Sequence, residues 1–175
     1  MWQIEVMWRA TPWAPYGLAV AVIGAVALAR SLARRGGTST IGTGLWLLFV
    51  GTIVTLTMTP GLSHGVVHHC GLLVSGILTP AELLAFHERG LNAWMYVPPA
   101  LLAVLARRRE TWVTALAITA ALPFVSELTQ WAIPALGRQC QVQDIVGNLT
   151  GVAIGAAAGF VVRGLIRLPR PVRTA

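Results

Sequence analysis

The sequence contains no lysine, and charged residues occupy only 11% of its 175 positions. Soluble globular domains carry charge on about a quarter of their residues, so this scarcity argues against a soluble fold. Hydrophobic residues make up 55% of the chain. They lie in blocks close to the roughly 20 residues that a helix needs to span a bilayer. The composition therefore predicts an all-α, polytopic transmembrane helical bundle.

Positive charge is supplied by arginine alone, and 13 basic residues against 6 acidic ones give a net charge of +7. A basic chain can bind nucleic acid, but nucleic-acid-binding domains present their charge on a soluble face. Here the arginines lie at the ends of the apolar blocks. We therefore interpret them as topology signals and predict no nucleic-acid partner.

Several motifs of catalysis and metal binding are missing. The chain has no HExxH or GxSxG motif, and its glycine pairs lack the strand and helix around a nucleotide-binding loop. The histidines are His64, His68, His69 and His87. The first two have a metal-ligand spacing, but Gly61 and Gly65 weaken a helix there. We interpret these histidines as interfacial residues and predict neither a metal nor a cofactor.

Five apolar blocks are predicted to be transmembrane helices. They cover residues 13–32, 41–58, 92–106, 112–133 and 145–166. Tryptophans near block ends fit aromatic belts at the membrane surface, namely Trp13, Trp46, Trp94, Trp112 and Trp131. Arginines follow the first block, unlike the pattern of a secretory signal, so we expect an uncleaved helix. A sixth helix or an overlooked half-helix is the alternative that the sequence leaves open.

The arginines divide unevenly between alternate loops. With the N-terminus outside, the inner loops hold Arg30, Arg34, Arg35, Arg107, Arg108, Arg109, Arg163, Arg167, Arg170 and Arg173. The outer side holds only Arg9, Arg89 and Arg138. Because arginine accumulates in cytoplasmic loops, this pattern predicts an outer N-terminus and an inner C-terminus in a multi-pass inner-membrane protein.

The long loop over residues 59–91 contains one helix signal. Thr79 and Glu82 form a capping box with Pro80 at the first helical position. These residues predict a short interfacial helix over 80–89 that ends at Gly90.

The two cysteines, Cys70 and Cys140, fall in the two outer loops of the predicted topology. Disulfides persist outside the cytoplasm. Two interpretations stay open, a bridge that joins these loops and two unrelated thiols.

Polar residues gather near the outer ends of the last two predicted helices. Glu127 lies within an apolar block, where a carboxylate is costly and is usually functional. Gln130 shares its helix face, and Arg138 follows in the outer loop. Asp144 opens the next helix, with Asn148 one turn deeper. The alternative to a functional site is a buried polar network that holds helices together.

The fifth block carries glycines at strict four-residue spacing, namely Gly147, Gly151, Gly155 and Gly159. Small residues at this spacing let a second helix approach closely. We expect this row to pack against a neighbouring helix, and we favour the fourth block as that neighbour.

The same region resembles the VanZ-like membrane protein family. The matching positions are Glu127, Gln130, Arg138, Asp144, Asn148, Gly151 and Gly155. A second match runs from Asn92 through Tyr96 to Pro98, and a weaker one covers 55–60. The chain departs from the family pattern at Ala100, where glycine is common, and at Gln141, where an acidic residue is common.

The resemblance covers roughly residues 42–166 and leaves the first helix outside it. It implies an extra N-terminal helix with a cytoplasmic turn (1–40), a VanZ-like membrane domain (41–168) and a basic cytoplasmic tail (169–175). The name-giving member confers low-level teicoplanin resistance. The resemblance therefore implies a role in the bacterial cell envelope, in antibiotic susceptibility or with lipid-linked peptidoglycan precursors, but it supplies no reaction.

Three functional hypotheses follow. In the favoured one, an outward-facing pocket binds a lipid headgroup or a glycopeptide tail, and Arg138 pairs with a phosphate. Its residues are Asn92, Glu127, Gln130, Arg138, Asp144 and Asn148. In the second, an intramembrane enzyme uses Glu127 as acid and base on a lipid, although no nucleophile set is evident. In the third, the polar residues and glycines serve only packing or assembly.

Overall fold

The computed structural model describes residues 11–60, 70–73, 76, 78–84 and 88–167. Within these residues it has six α-helices and two very short strands. The helices are α1 (Ala14–Gly36), α2 (Thr40–Met58), α3 (Pro80–Leu84), α4 (Glu88–Val104), α5 (Arg109–Ala132) and α6 (Val142–Arg167). The strands are β1 (Cys70–Gly71) and β2 (Cys140–Gln141), which pair in parallel, and a 3₁₀ turn covers Pro134–Leu136.

Each of the five predicted blocks corresponds to one long helix, and the ends differ by a few residues. By length and composition, α1, α2, α5 and α6 are candidate membrane spans within the described residues. Helix α4 has 17 residues, which at 1.5 Å per residue gives about 25 Å, the lower end for a span. The predicted all-α membrane fold is confirmed.

The turn between α1 and α2 is built by local capping. Gly37 adopts a left-handed conformation with φ 62°, and its N–H donates to the carbonyl of Ala33. Glycine reaches this conformation without strain, which is why helices so often end at it. Ser39 then caps α2 by accepting a hydrogen bond from the N–H of Gly42 at 2.9 Å. The two helices therefore form a tight antiparallel pair.

Helix α3 begins with the predicted capping box. The backbone N–H of Thr79 donates to Glu82 Oε2 at 2.8 Å, and the N–H of Glu82 donates back to Thr79 Oγ1 at 3.3 Å. The first of these bonds lowers the pKa of Glu82 below its usual value. The predicted end at Gly90 is wrong, because Gly90 lies inside α4. A Cβ there would come within 2.6 Å of the carbonyl oxygen of Glu82, so this glycine permits a close approach of α3.

The glycine row of α6 packs against α4. A Cβ at Gly151 would overlap the carbonyl of Ala93, and a Cβ at Gly155 would overlap that of Val97. A Cβ at Gly159 would lie 2.8 Å from the Cβ of Val104. Our expectation of the fourth block, now α5, as the neighbour was therefore wrong.

The small side chains of α4 explain why the glycine row packs against this helix. Its facing side includes Ala93 and Ala100, which are fully buried and short, so the two backbones can meet. Gly147 differs from the other three glycines of the row. A Cβ there would have only ordinary contacts, at 3.7 Å from the carbonyl oxygen of Arg89 and from the side chain of Leu78.

The core lies where α2, α4, α5 and α6 meet. It consists of Ile53, Tyr96, Ala100, Leu122 and Val152. Helix α1 lies at the edge of this bundle and packs on α2, where Gly17 faces Thr55 and Gly51 faces Ala21. Its other face exposes apolar side chains that suit contact with lipid.

The α4–α6 contact predicts a position-specific effect of adding one methyl group. We expect Gly151→Ala to lower the free energy of unfolding by about 1–3 kcal/mol, as overpacking does, because a carbonyl occupies the space. In Gly164→Ala, on the same helix, the new Cβ has no neighbour within 4 Å, so stability stays equal or rises by up to about 1 kcal/mol. Denaturant unfolding in detergent measures both, and equal stabilities would contradict the described packing.

Candidate functional site

Six predicted polar residues lie at one end of the bundle, and we call them the polar cluster. They are Asn92, Glu127, Gln130, Arg138, Asp144 and Asn148. At this end the C-terminal ends of α2 and α5 meet the N-terminal ends of α4 and α6. The sequence placed five of them on the last two helices and their loop, and the structure adds bonds to α2 and α4.

One bond of the cluster joins α4 to α6. Asn92 Nδ2 donates to Asp144 Oδ1 at 3.2 Å. Asp144 lies in the first turn of α6, where a negative charge is favoured by the exposed N–H groups of the helix. The bond therefore fixes the N-terminal end of α4 beside the N-terminal end of α6, where the packing of the glycine row against α4 begins.

Two further bonds hold the end of α2. Gln130 Nε2 donates to the carbonyl of Thr57 at 3.0 Å, and Arg138 Nε donates to that of Thr59 at 3.4 Å. Carbonyls at a helix end have no partner within the helix, so side chains must satisfy them where water is excluded. Burial lowers the pKa of the Arg138 guanidinium from its usual value.

Glu127 has a backbone partner rather than a cation. Its side chain is buried, with only 4% exposed, and its Oε2 accepts the N–H of Gln141 at 2.7 Å. Gln141 belongs to β2, which pairs with β1. The carboxylate therefore holds the short strand pair against α5.

A disulfide joins Cys70 to Cys140 across the strand pair, with the two Cα atoms 4.5 Å apart. It connects the segment before α3 with the segment between α5 and α6. The sequence left open whether the two cysteines form a bridge or are unrelated thiols, and the structure shows the bridge. It lies at the same end as the polar cluster. The histidines at 64, 68, 69 and 87 lie outside the described residues.

Comparison with known families assigns most of the chain to one of them. The VanZ/LLP1 family model matches residues 44–163, which is more than half of the chain. The chain belongs to the VanZ/LLP1 family. No curated protein and no solved structure matches it.

The VanZ/LLP1 match begins within α2 and ends within α6, so it contains the polar cluster and leaves α1 outside. It agrees with the resemblance drawn from the sequence, which covered roughly 42–166. It supports a VanZ-like, multi-pass membrane protein.

Three residues of this site were missed from the sequence. Tyr96 is fully buried, and its hydroxyl has Ser126 as its one polar neighbour, without a hydrogen bond of good geometry among the described residues. Ser126 Oγ is 3.2 Å from Thr57 Oγ1, so this pair of hydroxyls joins α5 to α2. The available signal was the motif from Asn92 to Pro98, which contains Tyr96 as its aromatic position.

Asn148 provides a second polar atom without a partner. The residue is 3% exposed, and its Oδ1 has no hydrogen bond within the described part of the chain. A buried polar atom left unpaired costs roughly 1–3 kcal/mol, so native proteins rarely keep one without a reason.

The bond of Glu127 predicts different effects of two substitutions. Glu127→Ala leaves the Gln141 N–H unpaired, and we expect a loss of about 1–3 kcal/mol of stability. Glu127→Gln keeps an acceptor oxygen and loses less. The control is Glu110→Ala, which removes an exposed carboxylate from the first turn of α5 and costs at most about 1 kcal/mol. Denaturant unfolding in detergent measures the stability of each variant. Equal stabilities of Glu127→Ala and Glu127→Gln would contradict the bond.

The disulfide predicts the chemical state of both cysteines, which are the only two in the chain. Alkylation followed by mass spectrometry should add two labels after reduction and none before it. Cys70→Ser should expose Cys140 to one label without reduction and lower stability by about 2–4 kcal/mol. Two labels on the unreduced protein would show that no bridge forms.

Proposed function

We propose that this chain is a bacterial inner-membrane protein of the cell envelope. Its polar cluster faces outward and binds the headgroup of a lipid-linked peptidoglycan precursor. Bound there, the headgroup becomes less accessible to a glycopeptide antibiotic, which lowers susceptibility to teicoplanin. The proposal extends the family assignment to a ligand and a phenotype.

The outward orientation rests on charge. Seven arginines with described side chains lie at the end opposite the polar cluster, namely Arg30, Arg34, Arg35, Arg107, Arg108, Arg109 and Arg163. Because arginine is retained on the cytoplasmic side, this distribution supports an inner position for that end. The disulfide supports the same direction, since such bonds persist in oxidising compartments.

Unpaired buried polar atoms carry the proposal. Asn148 Oδ1 is enclosed within the bundle without a partner in the described residues, and the Tyr96 hydroxyl has Ser126 as its one polar neighbour without a hydrogen bond of good geometry. A purely structural network gains nothing from such atoms, because each one costs stability. A headgroup that carries hydroxyl and amide groups would pair with both. Binding would then give these atoms the hydrogen bonds that they lack in the free protein, and it would offset the free energy that their burial costs.

Arg138 suits a phosphate. Its Nε donates to Thr59, and its two terminal nitrogens have no partner among the described residues. The planar guanidinium presents these N–H groups as a fork that fits phosphate oxygens. The loop position at the membrane surface is where the phosphate of a lipid-linked precursor lies.

The test compares inhibitory concentrations of teicoplanin and vancomycin in a susceptible Gram-positive host. Wild type should raise the teicoplanin value selectively, whereas Tyr96→Phe and Arg138→Gln should return it to that of the empty host. Tyr96→Phe removes only a hydroxyl that makes no hydrogen bond of good geometry within the described residues, so protein abundance should stay normal. Tyr16→Phe makes the same chemical change at an exposed position of α1 and should keep the wild-type value.

Each alternative has its own outcome. Loss of phenotype in proportion to protein level in all variants would support a structural role alone. Full resistance in Tyr96→Phe and Arg138→Gln at normal abundance would contradict the pocket. The enzymatic alternative with Glu127 as acid and base stays a prediction, and a Glu127→Gln variant with unchanged lipid turnover would exclude it.

A further inference from the structure

A second polar site lies at the opposite end of the bundle from the polar cluster. A cleft of about 360 Å³ opens between α5 and α6. It is lined by Arg109, Trp112, Phe160, Arg163 and Gly164, and we call it the basic cleft. A Cβ at Gly164 would meet no atom within 4 Å, so this wall of the cleft is open. The cleft is independent of the function proposed above.

Arg163 is a fixed cation in this cleft. Its Nη1 donates to the carbonyls of Val104 and Ala106 at 2.9 and 3.1 Å, and its Nη2 donates to that of Arg107 at 3.2 Å. These bonds hold the guanidinium against the C-terminal end of α4, 6.0 Å from the ring centroid of Trp112. They use three of its five N–H groups. The remaining two have no partner among the described residues.

The positive charge at this end is not neutralised within the protein. Arg109 and Arg163 form no ion pair within the part of the chain that the structure describes. The ion pair between Arg89 and Glu82 lies at the other end of the bundle. One carboxylate, Glu110, is close in sequence, but it is exposed and sits beside three consecutive arginines. Two guanidinium groups without a carboxylate partner at one cleft offer a site to an external anion.

The walls of the cleft are apolar toward the centre of the membrane. Trp112 and Phe160 pack edge to face, with ring centroids 5.5 Å apart. Phe160 is 47% exposed, and Val113 and Val161, which lie near the two rings in sequence, are exposed as well. A ligand here therefore meets cations at its head and exposed apolar side chains along its tail.

We propose that the basic cleft binds an anionic phospholipid. Its headgroup phosphate lies between Arg109 and Arg163, and one acyl chain runs along Phe160. The charge pattern selects an anionic lipid over a zwitterionic one, because a choline group would add a third cation to the cleft. The exposed apolar wall favours a lipid over a free phosphate, because a free phosphate has no acyl chain that could pack against Phe160.

Native mass spectrometry of the full chain in detergent tests this site with two probes. Phosphatidylglycerol and phosphatidylcholine with identical acyl chains are added in equal amounts, and bound lipid is counted. We expect phosphatidylglycerol to bind preferentially. Arg109→Gln should weaken its binding about fivefold, the factor expected for one arginine near an anionic headgroup. Arg109→Lys should keep most of the affinity because it keeps the charge.

The matched control is Arg34→Gln, which removes the same charge from an exposed arginine of α1 at the same end. It should leave phosphatidylglycerol binding unchanged. Equal weakening by Arg34→Gln and Arg109→Gln would overturn the proposal, since binding would then reflect overall charge. Equal binding of both lipids would also overturn it, as would displacement of phosphatidylglycerol by millimolar inorganic phosphate. None of these variants touches the carbonyl bonds of Arg163, so the fold is preserved in each.

Discussion

Helices α4 and α6 approach so closely that backbone atoms of α4 occupy the space where side chains would stand on Gly151 and Gly155. Within a bilayer, helix association has little help from the hydrophobic effect and depends on close packing and polar bonds. This contact therefore sets the positions of the other elements. It places Asn92 beside Asp144 at one end and Arg163 beside the last carbonyls of α4 at the other.

The two ends of this pair differ in their chemistry. At one end, buried acidic and amide side chains bond to backbone groups of neighbouring segments, as Glu127 does with Gln141 and Gln130 with Thr57. At the other end, arginine dominates, and Arg163 covers three carbonyls that the end of α4 leaves open. Both sets of bonds satisfy backbone groups that have no water within reach and must therefore find a partner in the protein. The polar-cluster end therefore holds charges of both signs, whereas the opposite end is dominated by arginine.

Much of the fold was predictable because local rules determine it. Apolar blocks gave the long helices, and Thr79 with Glu82 gave the beginning of α3 through side-chain bonds that span three residues. The partner of the glycine row was not predictable. A small-residue row suits any helix that exposes its backbone, and the alanines of α4 resemble ordinary apolar composition. Gly90 was misread because a close approach between helices and a helix end both favour glycine.

The residues of the polar cluster lie together at one end of the bundle, but the sequence did not predict the bonds that they make. Glu127 pairs with a backbone N–H, and any residue except proline at position 141 would supply that group, so no side-chain pattern reveals it. The motif from Asn92 to Pro98 singled out Tyr96, but not its burial beside the polar cluster, which depends on how the helices pack. Long-range contacts of this kind depend on how helices are arranged, which sequence spacing alone does not determine.

The disulfide has a consequence for the assembly of the protein. Cys70 and Cys140 are separated by 70 residues, and the chain between them contains α3, α4 and α5. The two thiols can meet only after α4 and α5 have both been inserted, since an incomplete hairpin would leave them apart. The bond therefore closes a covalent ring around a finished pair of helices. A single cut anywhere in that ring would leave the two pieces of the protein attached to each other.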